Sequence, residues 1–302
     1  MLQLTHFRRT ACVDWLDVRL QIARPTQFQH VQAALKEISG YRLYVAPVFP
    51  KAGNVSDKFV VRINDALAND YAALETIFLG SMQRIPLARP PRISAIEIAC
   101  DFLHKGEVSF REPRTAALTH RLQSSLLAAG GRPRQFDPRL RVNRFMDVSG
   151  TRLDPDMNYR IGNKQDDISW QIYWKRTDSG QLLPRERWRA RVEVTLQGRI
   201  LESLGLIELS DLQGYRFTRL ARFFRFRTPI PPEIQAGDDL FKLNAIIANR
   251  RLNDATPARG LHSFSAVGRR DRWRKVRRES SHLQADNELQ DAIKGALRQL
   301  KL

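Results

Sequence analysis

Alternation of apolar and polar positions marks five segments of the chain as strands with one face to bury. In "VDWLDVRLQI", Leu16, Val18, Leu20 and Ile22 share one side, and Trp15, Asp17, Arg19 and Gln21 share the other. The same two-residue period runs through "DKFVVRIN", where Phe59, Val61 and Ile63 oppose Lys58, Val60, Arg62 and Asn64. "SAIEIACDF" sets Ile96, Ile98, Cys100 and Phe102 against Ala95, Glu97, Ala99 and Asp101. "RARVEVTL" sets Ala190, Val192, Val194 and Leu196 against Arg189, Arg191, Glu193 and Thr195. Around "SWQIYWKRTD", Ile168, Trp170, Ile172 and Trp174 form the apolar face, and Ser169, Gln171, Tyr173 and Lys175 the polar one. Side chains that point alternately to opposite faces give this period, and one polar face per strand implies an antiparallel or mixed sheet covered on one side only.

Helices that could cover it lie between the strands. "TQFQHVQAALKEIS" places Phe28, Val31, Leu35 and Ile38 at helical spacing and is followed by Gly40. "DALANDYAALETIFLGSM" carries a similar stripe of Leu67, Tyr71, Leu74, Ile77 and Phe78. "PRTAALTHRLQSSLLAAGG" opens on a proline and closes on two glycines, which predicts a helix bounded by an N1 proline and a glycine cap. Strands and helices in this order predict an α+β fold, an open polar sheet face, and a regular domain over 1–205. Residues 206–302 are less regular and read as a basic, partly flexible extension. Within it, "YRFTRLARFFRFRTPIPPE" interleaves aromatics with arginines, and its Arg216, Arg219 and Arg222 fit one basic helix face.

Charge then names a class of partner. Fifty Lys and Arg against thirty-two Asp and Glu leave a formal charge of +18, a field that gathers polyanions and speeds their arrival. The run "GRRDRWRKVRRE" concentrates that charge in Arg269, Arg270, Arg272, Arg274, Lys275, Arg277 and Arg278 around Trp273. Such a run predicts an arm that tracks phosphates while the indole stacks on a base. Cys12 and Cys100 offer neither a disulfide framework nor a zinc pattern. With no secretory signal and no run of eighteen apolar residues, the expected setting is reducing and cytoplasmic, without a membrane.

The polar sheet face carries chemistry. Glu97 and Asp101 project from one face of one strand about 13 Å apart, at roughly 3.3 Å per residue, so another strand must bring a carboxylate between them. Glu193 is the candidate, and such an oxygen-rich set suits Mg²⁺ or Mn²⁺. A phenol has a pKa of about 10 and is a weak nucleophile until a cation or a metal favours its phenolate. Tyr173, with Lys175 two residues on, has that potential, and Arg191 could meet DNA phosphates beside it. His104 reads as a surface histidine, and no P-loop pattern is present.

"IEIACDF", "IGNKQDDISWQIYWKR" and "RARVEVTLQG", preceded by "VDWLDVRL", resemble in order and spacing the motifs of the replication initiation factors of rolling-circle plasmids and filamentous phages. The resemblance spans about residues 12–205. It implies nicking of one strand of origin DNA by a tyrosine that stays on the 5′ phosphate and leaves a 3′ hydroxyl for the host polymerase, with a separate host helicase. Double- and single-stranded origin DNA are the implied partners, Tyr173 the nucleophile, Lys175 its charge partner, and Glu97, Asp101 and Glu193 the metal-site acids. Two departures stand out. Glu97 replaces the usual aspartate, and Arg160 stands where many members have an aromatic, with Tyr159 one place earlier as a second candidate nucleophile. The alternatives are a DNA-binding phage or plasmid regulator without chemistry and a metal-dependent nuclease that uses water.

Overall fold

The computed structural model describes residues 3–50, 55–127, 134–137, 142–145, 158–163, 165–178, 180–229 and 283–302; the basic run 269–278 lies outside the described residues. The fold is the α+β class expected. In chain order the strands are β1 (Phe7–Gln27), β2 (Tyr44–Pro47), β3 (Val55–Asn64), β4 (Arg92–His104), β5 (Leu126–Leu127), β6 (Arg134–Asp137), β7 (Val142–Phe145), β8 (Asn158–Ile161), β9 (Ile168–Lys175), β10 (Thr177–Asp178), β11 (Gln181–Leu182), β12 (Arg189–Gln197), β13 (Arg225–Pro229) and β14 (Leu283–Ala285). The helices are α1 (Phe28–Ser39), α2 (Asp65–Ala68), α3 (Tyr71–Arg84), α4 (Val108–Ser125), α5 (Arg199–Leu204) and α6 (Asn287–Gln299). Among the described residues a large sheet runs β2-β3-β1-β4-β12-β9-β8-β6-β7, and all five alternating segments fall in it. No described helix is long and apolar enough to cross a membrane.

The chain divides into two compact units. One comprises residues 12–99, 195–217 and 300–302. In it β3 pairs antiparallel with β1 and with β2, and α1 and α2 pack on β3. The predicted strand faces hold: Leu16, Val18, Leu20, Phe59, Val61 and Ile63 are buried. From α1 come Val31 and Leu35, and the helix stops where Gly40 takes a left-handed conformation (φ 74°), as its glycine signal predicted. The next stripe is two helices rather than one. Asp70 accepts from Ala73 N–H and caps α3, so the polar pair Asn69-Asp70 separates it from α2.

The other unit comprises residues 1–11, 100–194 and 218–299. Here β9 pairs antiparallel with β8, β8 with β6, and β6 with β7. Gly162, just after β8, has φ 83°, and a Cβ there would stand 3.0 Å from the Ile168 carbonyl oxygen, so the turn into β9 requires glycine. Against β9 packs α4. That helix starts five residues before Pro113, which therefore lies inside it rather than at N1, and it ends at Ser125, short of the two glycines. Its last turn leads into β5, which pairs with β13, and β13 with β14.

Past residue 206 the described chain is ordered by burial. Residues Phe217–Phe223 form a 3-10 helix whose period of three residues exposes Arg216, Arg219 and Arg222 and buries Phe217 and Leu220. In α6, Leu289, Ala292, Ile293, Ala296 and Leu297 are buried at the spacing of one helix face. Asp286 caps it by accepting from Leu289 N–H at 3.1 Å. Arg121 of α4 grips the same carboxylate with Nε and Nη2 at 2.9–3.1 Å and reaches Glu288 at 2.9 Å.

Candidate active site

Three neighbouring strands of the sheet, β4, β12 and β9, supply the polar side chains that matter most. Tyr173 on β9 donates its phenolic O–H to Glu193 Oε1 on β12 at 2.7 Å. The same oxygen accepts from Arg191 Nη1 at 3.3 Å. Arg191 also donates from Nε and Nη2 to the two oxygens of Asp101 on β4, at 2.6 and 2.7 Å, and Arg189 stands 2.9 Å from that carboxylate. Asp101, Arg191, Glu193 and Tyr173 thus form one connected chain. Arg191, expected to meet DNA, is only 1% exposed, so its charge serves the interior of the site.

The electrostatics follow from that burial. Desolvation disfavours the Asp101 carboxylate, but the hydrogen bonds and charge of Arg191, with Arg189 and Lys175 adding, hold its pKa below the ordinary value. Burial likewise opposes the Arg191 charge, and Asp101, Tyr173 and Glu193 more than offset it, so the guanidinium stays protonated. Paired charges of this kind satisfy one another and leave Asp101 little capacity for a metal ion.

Glu97 lies apart from that pair. It accepts from Thr195 Oγ1 at 2.5 Å. Oxygens of Glu97, Glu193 and Asp14, on β4, β12 and β1, all lie within 4.8 Å of one another. Two oxygens on one Mg²⁺ stand at most about 4.2 Å apart, given bonds of about 2.1 Å, so small side-chain adjustments would bring all three onto one hard cation. Of the three acids expected to share an ion, two therefore come together, and Asp14 takes the place anticipated for Asp101.

Asp14 was hidden by a break in period. Val13 and Leu16 are both buried, three residues apart, with Asp14 and Trp15 both half-buried between them. Pairing with β3 stops at Trp15 opposite Asn64, and beyond it the Asn69 amide stands in for the missing strand. It accepts from Val13 N–H and donates to Val13 C=O, each at 2.8 Å, and so fixes the backbone next to Asp14. A similar break occurs in β9, where Ile172 and Lys175 are both buried and Tyr173 and Trp174 both half-buried. Lys175, expected beside the phenol on the open face, instead holds Asp178 at 3.0 Å.

The second tyrosine has a different environment. Tyr159 is fully buried, and desolvation raises its pKa well above 10. His104, read as a surface residue, is 1% exposed, packs edge-on to Phe7, and faces Gly106 N–H and Arg114 through its two ring nitrogens.

No family model matches the chain, and no curated protein matches it. Among solved structures, the chain is similar to a rolling circle replication initiator protein from Geobacillus stearothermophilus, at 15% identity and TM-score 0.37, over 83% of this chain and 99% of that one. It is also similar to the regulatory subunit of aspartate kinase from Thermus thermophilus, at 11% identity and TM-score 0.22, over 65% and 91%. Both scores are low, and the functional reading rests on the side chains themselves.

Proposed function

We propose that this protein is a replication initiator that nicks one strand of origin DNA by tyrosine transesterification, with Tyr173 as nucleophile. The observation that carries the reading is the 2.7 Å hydrogen bond from the Tyr173 hydroxyl to Glu193, beside the Arg191 guanidinium, in a strongly basic protein. As the phenolic oxygen bonds to phosphorus, its proton passes to Glu193. The bond from phosphorus to the 3′ oxygen breaks, and that oxygen leaves as a hydroxyl once protonated. The products are a 5′-phosphotyrosine and a free 3′-OH. Arg191 favours the developing phenolate, a role assigned to it rather than to Lys175, which is turned toward Asp178. Burial at Tyr159 opposes both ionisation and access, which favours Tyr173 over it.

Asp14, Glu97 and Glu193 would hold Mg²⁺ or Mn²⁺, which when bound would polarise the phosphodiester and neutralise charge on its oxygens. The acids alone would equally serve a water-using nuclease, and a covalent adduct separates the two. The partners on this reading are double- and single-stranded origin DNA, then the host helicase and polymerase that use the exposed 3′ end.

The test is Tyr173→Phe with supercoiled origin plasmid and Mn²⁺. One hydroxyl removes the nucleophile but few phosphate contacts, so nicking should disappear while duplex binding stays within about twofold. Nicking at the wild-type rate would refute the assignment.

A further inference from the structure

Next to Tyr173 in the chain, Trp174 is half-buried although its place in the two-residue pattern assigned it to the core. Its ring meets that of Trp188 edge to face, with centroids 5.6 Å apart and planes at 85°. The pair is held in place. Trp188 donates its indole N–H to the Leu183 carbonyl at 2.8 Å, and Leu183 N–H donates to the Arg176 carbonyl at 2.8 Å, which closes the small β10–β11 hairpin between the two tryptophans. The Arg176 guanidinium lies 4.8 Å from the centre of the Trp174 ring, and Arg185 lies 5.8 Å from that of Trp188. Arg185 is loosely engaged: its side chain is 67% exposed and its ion pair with Glu112 is 3.5 Å long.

We propose that Trp174 and Trp188, flanked by Arg176 and Arg185, form a stacking surface for an unpaired base of single-stranded DNA beside Tyr173. Indole faces bind any base through its π-face, and the arginines that lie over these rings can yield the face to the base and take the adjoining phosphates. A duplex keeps its bases stacked on one another, so the surface selects unpaired strand. The +18 charge of the chain attracts the polyanion, and the pinned rings need no ordering when the base arrives. The position of the surface relative to the scissile phosphate rests on the nicking reading; binding is measurable without any chemistry.

The test uses the full chain in EDTA with two probes of equal phosphate number, a dT 12-mer and an abasic 12-mer, read by tryptophan fluorescence and anisotropy. Wild type should bind the dT 12-mer roughly five- to a hundredfold more tightly, the contribution of about one stacked base, and its fluorescence should be quenched. Trp188→Ala should lose most of that preference, and Trp188→Phe should keep it. Should Trp188→Ala fail to fold, Trp188→Leu decides, because it keeps an apolar side chain without an aromatic face and should lose most of the preference that Trp188→Phe keeps. An equal affinity of wild type for both probes, or an undiminished preference in folded Trp188→Ala, would overturn the proposal. A preference for dT in a protein that forms no covalent adduct with origin DNA would leave the surface standing and the nicking reading fallen.

Discussion

Replacing Asp101 with asparagine separates a structural acid from a metal-binding one. Arg191 is almost wholly buried, and Asp101 accepts both of its strong hydrogen bonds as well as the Arg189 charge. Removing one partner of such a pair leaves the buried cation with only its longer 3.3 Å contact to Glu193, a loss of about 3–5 kcal/mol. With a urea m-value of about 3 kcal/mol/M, the midpoint should fall by roughly 1–1.7 M. The pH dependence follows from the sign of the shift. The folded pKa of Asp101 lies below its ordinary value of 3.8, so its contribution is complete above that value and is lost as pH falls through the folded pKa. Stability of wild type relative to Asp101→Asn should therefore be level from about pH 5 to 8 and converge below about pH 4. Urea titrations followed by circular dichroism at pH 7 and pH 3.5 read both effects, and Mn²⁺ calorimetry on the folded variant should show affinity within about twofold of wild type. A variant as stable as wild type that binds Mn²⁺ more weakly would refute this reasoning and return Asp101 to the metal site.

Other residues give sharper functional outcomes. Glu97→Gln should raise the Mn²⁺ needed for cleavage on the order of tenfold, because an amide oxygen binds hard cations more weakly, while urea stability stays within about 1 kcal/mol; unchanged Mn²⁺ dependence would remove Glu97 from the site. Asp286→Ala deletes the cap of α6 and the partner of Arg121 together, so stability should drop by about 2–4 kcal/mol in the same urea assay. Neutralising the seven cations of 269–278 tests the arm without disturbing residues 283–302, which belong to the fold. If about five of them meet phosphates, the slope of log affinity against log salt should flatten by four or five units at about 0.9 per contact, and an unchanged slope would exclude the arm as a DNA contact.

The strands were legible because a clean alternation reports a sheet with one buried face, as in Phe59, Val61 and Ile63. Acids on one polar face could likewise be paired across strands, which brought Glu97 and Glu193 together. Alternation misleads where it slips. By parity Asp14 shares the apolar side of its strand and Lys175 the polar side of its own, but the buried pairs Val13 with Leu16 and Ile172 with Lys175 shift the faces locally. Asp101 shows a different limit: a carboxylate that faces an arginine on the adjacent strand looks, in sequence, the same as one facing an ion. The C-terminal helix did leave a signal, an aspartate before Leu289, Ala292, Ile293, Ala296 and Leu297 at helical spacing, which the neighbouring charge run obscured.

The central claim is that the Tyr173 oxygen bonds to DNA phosphorus. Wild-type protein incubated with origin DNA and Mn²⁺, then digested with nuclease and protease, should yield in mass spectrometry a peptide carrying a 5′-nucleotide on Tyr173, and EDTA should abolish it. Efficient nicking without any protein-DNA adduct, or an adduct mapped to Tyr159, would contradict the account.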